Sequence, residues 1–159
     1  MAEDSKMDII EEFKNFNKEL EEKILEANND ESLVKWNKLL PEFMGAEVFI
    51  AGQPTDQVNA NGENIINILM MQKDGRTLVP FFTSPERVNA IANSQTNALN
   101  IMKINTVRFF QSVAGKASVL NPMSPYSRLF TPFDMRVLAA ENIDKAPPLP
   151  ENLREPSQE

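Results

Sequence analysis

Phe81-Phe82-Thr83-Ser84-Pro85-Glu86-Arg87 and Ala117-Ser118-Val119-Leu120-Asn121-Pro122-Met123-Ser124-Pro125 decide the fold. Each reads as a buried strand that stops abruptly at a polar, proline-centred turn. In the first, Ser84 is a suitable N-cap, Pro85 suits a first helical position and Glu86 suits the positive end of the helix dipole. In the second, Pro122 biases Asn121 toward extended backbone. Neither segment supplies an evident catalytic group.

Around these segments, Val48–Ala51, 65–71, 77–82, 98–104, 117–120 and 127–130 read as strands from their short apolar runs. The polar stretch 52–64 reads as a loop and Asp74-Gly75 as a hairpin turn. Pro80 cannot donate to a ladder, which predicts a sheet edge or a bulge at that point. Helices are predicted over about 6–28, 31–44, 85–92, 106–113 and 132–141. The first carries the stripe Ile9, Phe13, Phe16, Leu20, Ile24 and Ala27, at steps of four, three, four, four and three. Asn29 or Asp30 is the expected cap of the second, and Pro41 should kink or shorten its last turn. Trp36 is expected in the core, as are Met70, Met71, Met102 and Met123. The order ααβββαβαββα predicts an α+β fold, with a mixed, mostly antiparallel sheet, helices largely on one side and two helices preceding it.

The chain has 159 residues, net charge −7, no Cys and no His. That length is enough to bury roughly 70% of the unfolded surface without a disulfide or metal. Without Cys there is no thiol nucleophile or zinc–thiolate site, and the composition fits a reducing cytoplasm. Without His the commonest general base near neutral pH is missing. Residues 1–31 carry 11 acidic and 4 basic side chains, whereas residues 32–143 carry 8 and 10. The acidity therefore lies at the ends, and no basic stripe for nucleic acid is formed. No secretory leader pattern is read at the start, and the longest apolar run is too short for a bilayer. A phosphate loop, a nucleophile elbow and a calcium loop are all missing from the pattern. No cofactor or metal is expected. The division predicted is an acidic helical extension over 1–16, a domain over 17–142 and a disordered Pro-rich tail over 143–159. The P-x-x-P match at 147–150 is of a kind common in such tails.

The quoted motifs, with Asn17-x-x-Leu20-Glu21, Ala46-Glu47-Val48-Phe49-Ile50, Leu78-Val79-Pro80 and Phe133-Asp134-Met135, resemble the N-terminal domain of the SseB family of bacterial proteins. The resemblance covers about residues 17–141 and implies a fold, since the family offers no established catalytic residues to carry over. The family pattern usually has Gly where this chain has Met123, which argues against a turn of positive φ there. The family's frequent second domain is not expected, because the chain passes into a tail.

The expected function is a non-enzymatic, cytoplasmic binding or regulatory domain for a protein partner or a small ligand, with neither nucleic acid nor membrane as partner. Thr83, Ser84, Arg87, Asn121, Ser124, Tyr126 and Arg128 are the candidate binding residues, with Tyr126 and Arg128 as exposed recognition groups. The alternatives are an enzyme built on hydroxyl, Lys or carboxylate groups, a homo-oligomer formed through residues 6–28, or a secretion-related interaction protein. The enzyme alternative needs one of Ser84, Ser112, Ser118, Ser124 or Ser127 beside a desolvated Lys.

Overall fold

A computed structural model describes residues 11–14, 16–30, 33–58, 60, 62, 64–91, 100–113 and 115–147. The chain is α+β, as expected. Helices α1 (Lys18–Asn28) and α2 (Val34–Gly45) come first. Strands β1 (Glu47–Val58), β2 (Asn64–Ile68), β3 (Met71–Lys73) and β4 (Arg76–Phe81) follow. A 3-10 turn at Pro85–Ile91 leads on to β5 (Asn100–Asn105) and α3 (Thr106–Ser112). The fold closes with β6 (Ala117–Leu120), β7 (Arg128–Phe130), α4 (Pro132–Glu141) and a 3-10 turn at Ile143–Lys145.

The strands form two sheets. One has the order β2-β1-β5 and is antiparallel throughout; the other has the order β3-β4-β6-β7, with β4 and β6 parallel. They are joined where Phe49 and Phe82 exchange backbone hydrogen bonds of 2.7 and 2.8 Å. β1 makes this possible by dividing one edge. Its start meets Phe82, and from Ala51 onward it meets Leu69 and β2. Hydrogen bonding to β2 also explains why β1 runs through residues read as a loop: pairing overrides a polar composition.

Alternation along β1 divides the apolar side chains between two cores. Val48 and Ile50 join Leu20, Ile24, Trp36, Phe43, Phe81, Phe109, Phe110, Phe130 and Met135 in the main one. Phe49 and Ala51 face the other way, with Phe82, Val88, Ile101 and Phe13. All four of the helices just given contribute to the main core. Phe43 and Phe130 stack there with ring centroids 5.7 Å apart, and Phe81 lies 4.6 Å from Phe109.

Several local expectations change. The stripe predicted over 6–28 breaks at Asn17, and residues 1–10 lie outside the described set. Phe13 and Phe16 pack on Phe49, with centroids 5.5 and 5.7 Å away, whereas Leu20, Ile24 and Ala27 enter the main core. The second helix starts at Val34 after Leu33 at φ 64°, so neither Asn29 nor Asp30 caps it. Pro41 is carried inside this helix. Pro80 lies in a central strand, but β3 ends opposite Leu78, so only β6 pairs with the chain at Pro80. Met123 and Met70 are exposed, not core. Asn105 and Thr131 do cap α3 and α4, accepting from the N–H of Arg108 and Asp134 at 3.2 and 3.1 Å.

The tail expected from residue 143 begins with structure. Ile143–Lys145 turns back, and the Arg108 guanidinium donates twice to the carbonyl of Pro147, at 3.1 and 2.6 Å. Residues 148–159, including most of the P-x-x-P match, lie outside the described set. No helix among the described residues is long and apolar enough to cross a membrane.

Phe81 touches the rings of Phe43, Phe109, Phe110 and Phe130. Phe81→Ala is expected to destabilise the domain by about 3–5 kcal/mol, read as a lower urea midpoint with an unchanged slope.

Candidate functional site

Helix α1 aligns Asn17, Glu21, Ile24 and Asn28 at steps of four, three and four. That spacing places three polar groups along the border of the apolar stripe. Each reaches a different part of the two proline turns. The Asn17 amide donates to the carbonyls of Glu47 and Thr83 at 2.8 and 2.7 Å. The Asn28 amide donates to the carbonyls of Pro125 and Ser127 at 2.9 and 3.0 Å and accepts from the Trp36 indole N–H at 2.8 Å.

Glu21 sits between them, 7% exposed. Arg87 grips its carboxylate with both prongs, Nε to Oε2 at 2.5 Å and Nη2 to Oε1 at 2.9 Å. The Thr83 hydroxyl donates to Oε2, and Ser84 donates to the same oxygen at 3.4 Å. Burial pushes the Glu21 carboxyl up, but the bonds from Arg87 and Thr83, the Arg87 charge and the bond from Ser84 outweigh it and hold the group below its ordinary value. The bond from Glu21 raises Arg87 in turn, against the opposing effect of burial. Ser84 therefore serves the carboxylate, in place of the helix cap expected of it, and the following turn is 3-10.

The second turn is built around Asn121. Its Oδ1 accepts from the Thr83 backbone N–H at 3.0 Å, and its Nδ2 donates to Thr83 Oγ1 at 3.1 Å. Ser124 Oγ donates to the Asn121 carbonyl at 2.9 Å and accepts from the Tyr126 N–H at 3.1 Å. Asn121 is at φ 44° and Met123 at φ 66°. Both expectations for this turn are thus corrected: Asn121 is not extended, and a left-handed turn forms with Met in place of Gly. The side-chain bonds of Asn121 and Ser124 hold a conformation that costs about 1–2 kcal/mol per non-Gly residue.

Six of the seven candidate residues meet here: Thr83, Ser84, Arg87, Asn121, Ser124 and Tyr126. Tyr126 and Arg128 are half-buried, not exposed. The Arg87 guanidinium lies 4.3 Å from the Tyr126 ring centroid. Arg128 stands next to the group, linked through Asn28 and Trp36, with its guanidinium 4.4 Å from the Trp36 ring centroid. Glu21, Asn17 and Asn28 were not among the candidates. Their signal is the polar helical spacing just described.

The remaining serines are placed separately. Ser112 donates to the Phe109 carbonyl and Ser118 to the Met135 sulfur. Ser127 lines a groove on the second sheet with Lys73, Asp74, Arg76, Leu78, Val119 and Leu129, where Lys73 is exposed. Among the described residues no serine is hydrogen-bonded to a lysine, and no cluster of three acidic side chains converges on a metal position.

The lowered Glu21 value sets the pH response. Its stabilisation is fully present above the ordinary value of 4.5 and is lost as pH falls through the folded-state value. Glu21→Gln should cost about 2 kcal/mol near neutrality, and the gap to the wild type should close in acid, as followed by urea unfolding across pH. Met123 is 77% exposed, so Met123→Gly relieves strain without losing packing. It should raise the unfolding free energy by about 1 kcal/mol.

Residues 20–136 match the family described as SseB protein N-terminal domain. No curated protein and no solved structure gives a significant match. The match spans most of the 159-residue chain and covers both proline turns and nearly all of α1; the chain belongs to the SseB family.

Proposed function

We propose that the chain is a non-enzymatic binding or regulatory domain that holds a protein partner or a small ligand on the surface of the 121–128 turn, beside Arg87. The observation that carries this reading is the strained turn itself. A left-handed Met123 is presented to solvent above a polar network whose hydroxyls and carboxylate are already engaged with one another. Backbone strain that the surrounding bonds over-determine is a mark of recognition sites. An exposed thioether on the same turn as Tyr126, whose ring carries the Arg87 guanidinium, suits an adaptable apolar contact with a polar rim.

The same bonding pattern argues against catalysis at this place. Thr83 and Ser84 donate to Glu21, but the bidentate arginine and these bonds hold that carboxyl below its ordinary value, which makes it a weak base for either hydroxyl. A cytoplasmic location belongs to the same reading and is supported by the cysteine-free composition.

Affinity capture from the source cell, quantified by mass spectrometry, tests the proposal. Met123→Asp should lower recovery of a specifically retained partner by about tenfold, the effect of losing one central contact. A screen of metabolites and hydrolysable substrates that finds turnover, abolished by Ser84→Ala or Ser124→Ala, would replace this reading with an enzymatic one.

A further inference from the structure

The two arginines of this region are treated differently by the fold. Arg87 has its carboxylate. Arg128 has an aromatic bed and, among the described residues, no ion pair and no hydrogen-bond acceptor. Its guanidinium lies 4.4 Å from the Trp36 ring centroid and 5.5 Å from that of Phe130. Its Nε is buried and lacks a hydrogen-bond partner. A guanidinium offers five N–H donors in a planar fork, so with Nε enclosed the two terminal groups are the donors left for a ligand.

We propose that Arg128 is the receptor for a single carboxylate brought by the ligand, received by its two terminal Nη groups while the guanidinium stays stacked on Trp36. This deepens the binding reading above and rests on it. The platform is set in advance. The Trp36 indole N–H is tied to Asn28, and the Asn28 amide is tied to the carbonyls of Pro125 and Ser127 on either side of Tyr126. β7 fixes the Arg128 backbone opposite Leu120. The fork is thus oriented without a bound group, which lowers the ordering cost of binding one.

The charge balance selects the class of anion. Burial depresses the guanidinium, and the carboxylate acting on it through space is Asp134 in the first turn of α4. One cation under a neighbouring negative field suits a monoanion with two coplanar oxygens, which a fork matches, better than a phosphate dianion. The carboxylate has two sources, a free small acid or an acidic side chain of a protein.

Trp36 is the chain's single tryptophan, so its fluorescence reports on the stacked cation directly. The full chain is titrated with free glutamate, with a blocked Gly-Glu-Gly peptide and with inorganic phosphate. A saturable change with either carboxylate supports the proposal. A response to glutamate alone assigns a small acid, and a response to the blocked peptide assigns a protein side chain. Arg128→Met, which keeps the stem packing, should remove the saturable change. Arg128→Lys, which keeps the charge without the fork, should weaken it about tenfold and serves alone if the Met variant does not fold. Silence toward both carboxylates overturns the proposal, as does tighter binding of phosphate or an undiminished response in the folded variants. If Trp36 is silent while Met123→Asp still lowers partner recovery, this inference fails and the binding reading stands.

Discussion

The ionised carboxylate of Glu21, taken out of water and held by Arg87, Thr83 and Ser84, is the constraint on which the recognition surface depends. It joins α1 to the turn after β4, and through Thr83 it reaches Asn121 after β6. Two parallel strands end side by side there, and a helix far away in sequence closes over their ends. A buried charge of this kind is weak evidence for net stability, but it is demanding about geometry. Four donors must converge on two oxygens, so the relative placement of α1 and the two turns has little freedom.

That rigidity explains how the second turn tolerates its backbone. A left-handed asparagine before a proline and a left-handed methionine after it would unwind in isolation. Asn121 is retained because its amide completes the pairing of Thr83, inside a site where an unmet donor is costly. Ser124 then ties the turn back on itself from both ends. Met123 is left with no internal partner to satisfy, which is why it stands in solvent. The methionine seen as core by its composition is surface by its backbone.

Much of this architecture was legible in the residues. Strands that end in proline turns, the Asp74-Gly75 hairpin and the helical stripe through Leu20, Ile24 and Ala27 are local signals, and the α+β class followed from the order of the elements. Six of the seven candidate residues converge because they flank neighbouring strand ends. What escaped was non-local. Glu21 looks like one more charge on an acidic helix until Arg87 is placed beside it. β1 continues through a polar stretch because β2 pairs with it, and no window along the chain carries that information. The join between the two sheets at Phe49 and Phe82 rests on a single exchanged pair of hydrogen bonds, which leaves no pattern in sequence. Family membership adds the fold without the chemistry, since a scaffold does not dictate what is held on it.

The carbonyl of Pro147 is pinned by two prongs of Arg108 on α3. The segment that follows α4 is thereby strapped back onto a different helix. A strap fastened at its end by exposed hydrogen bonds can open and close as a local event while the packed rings beneath it stay in place.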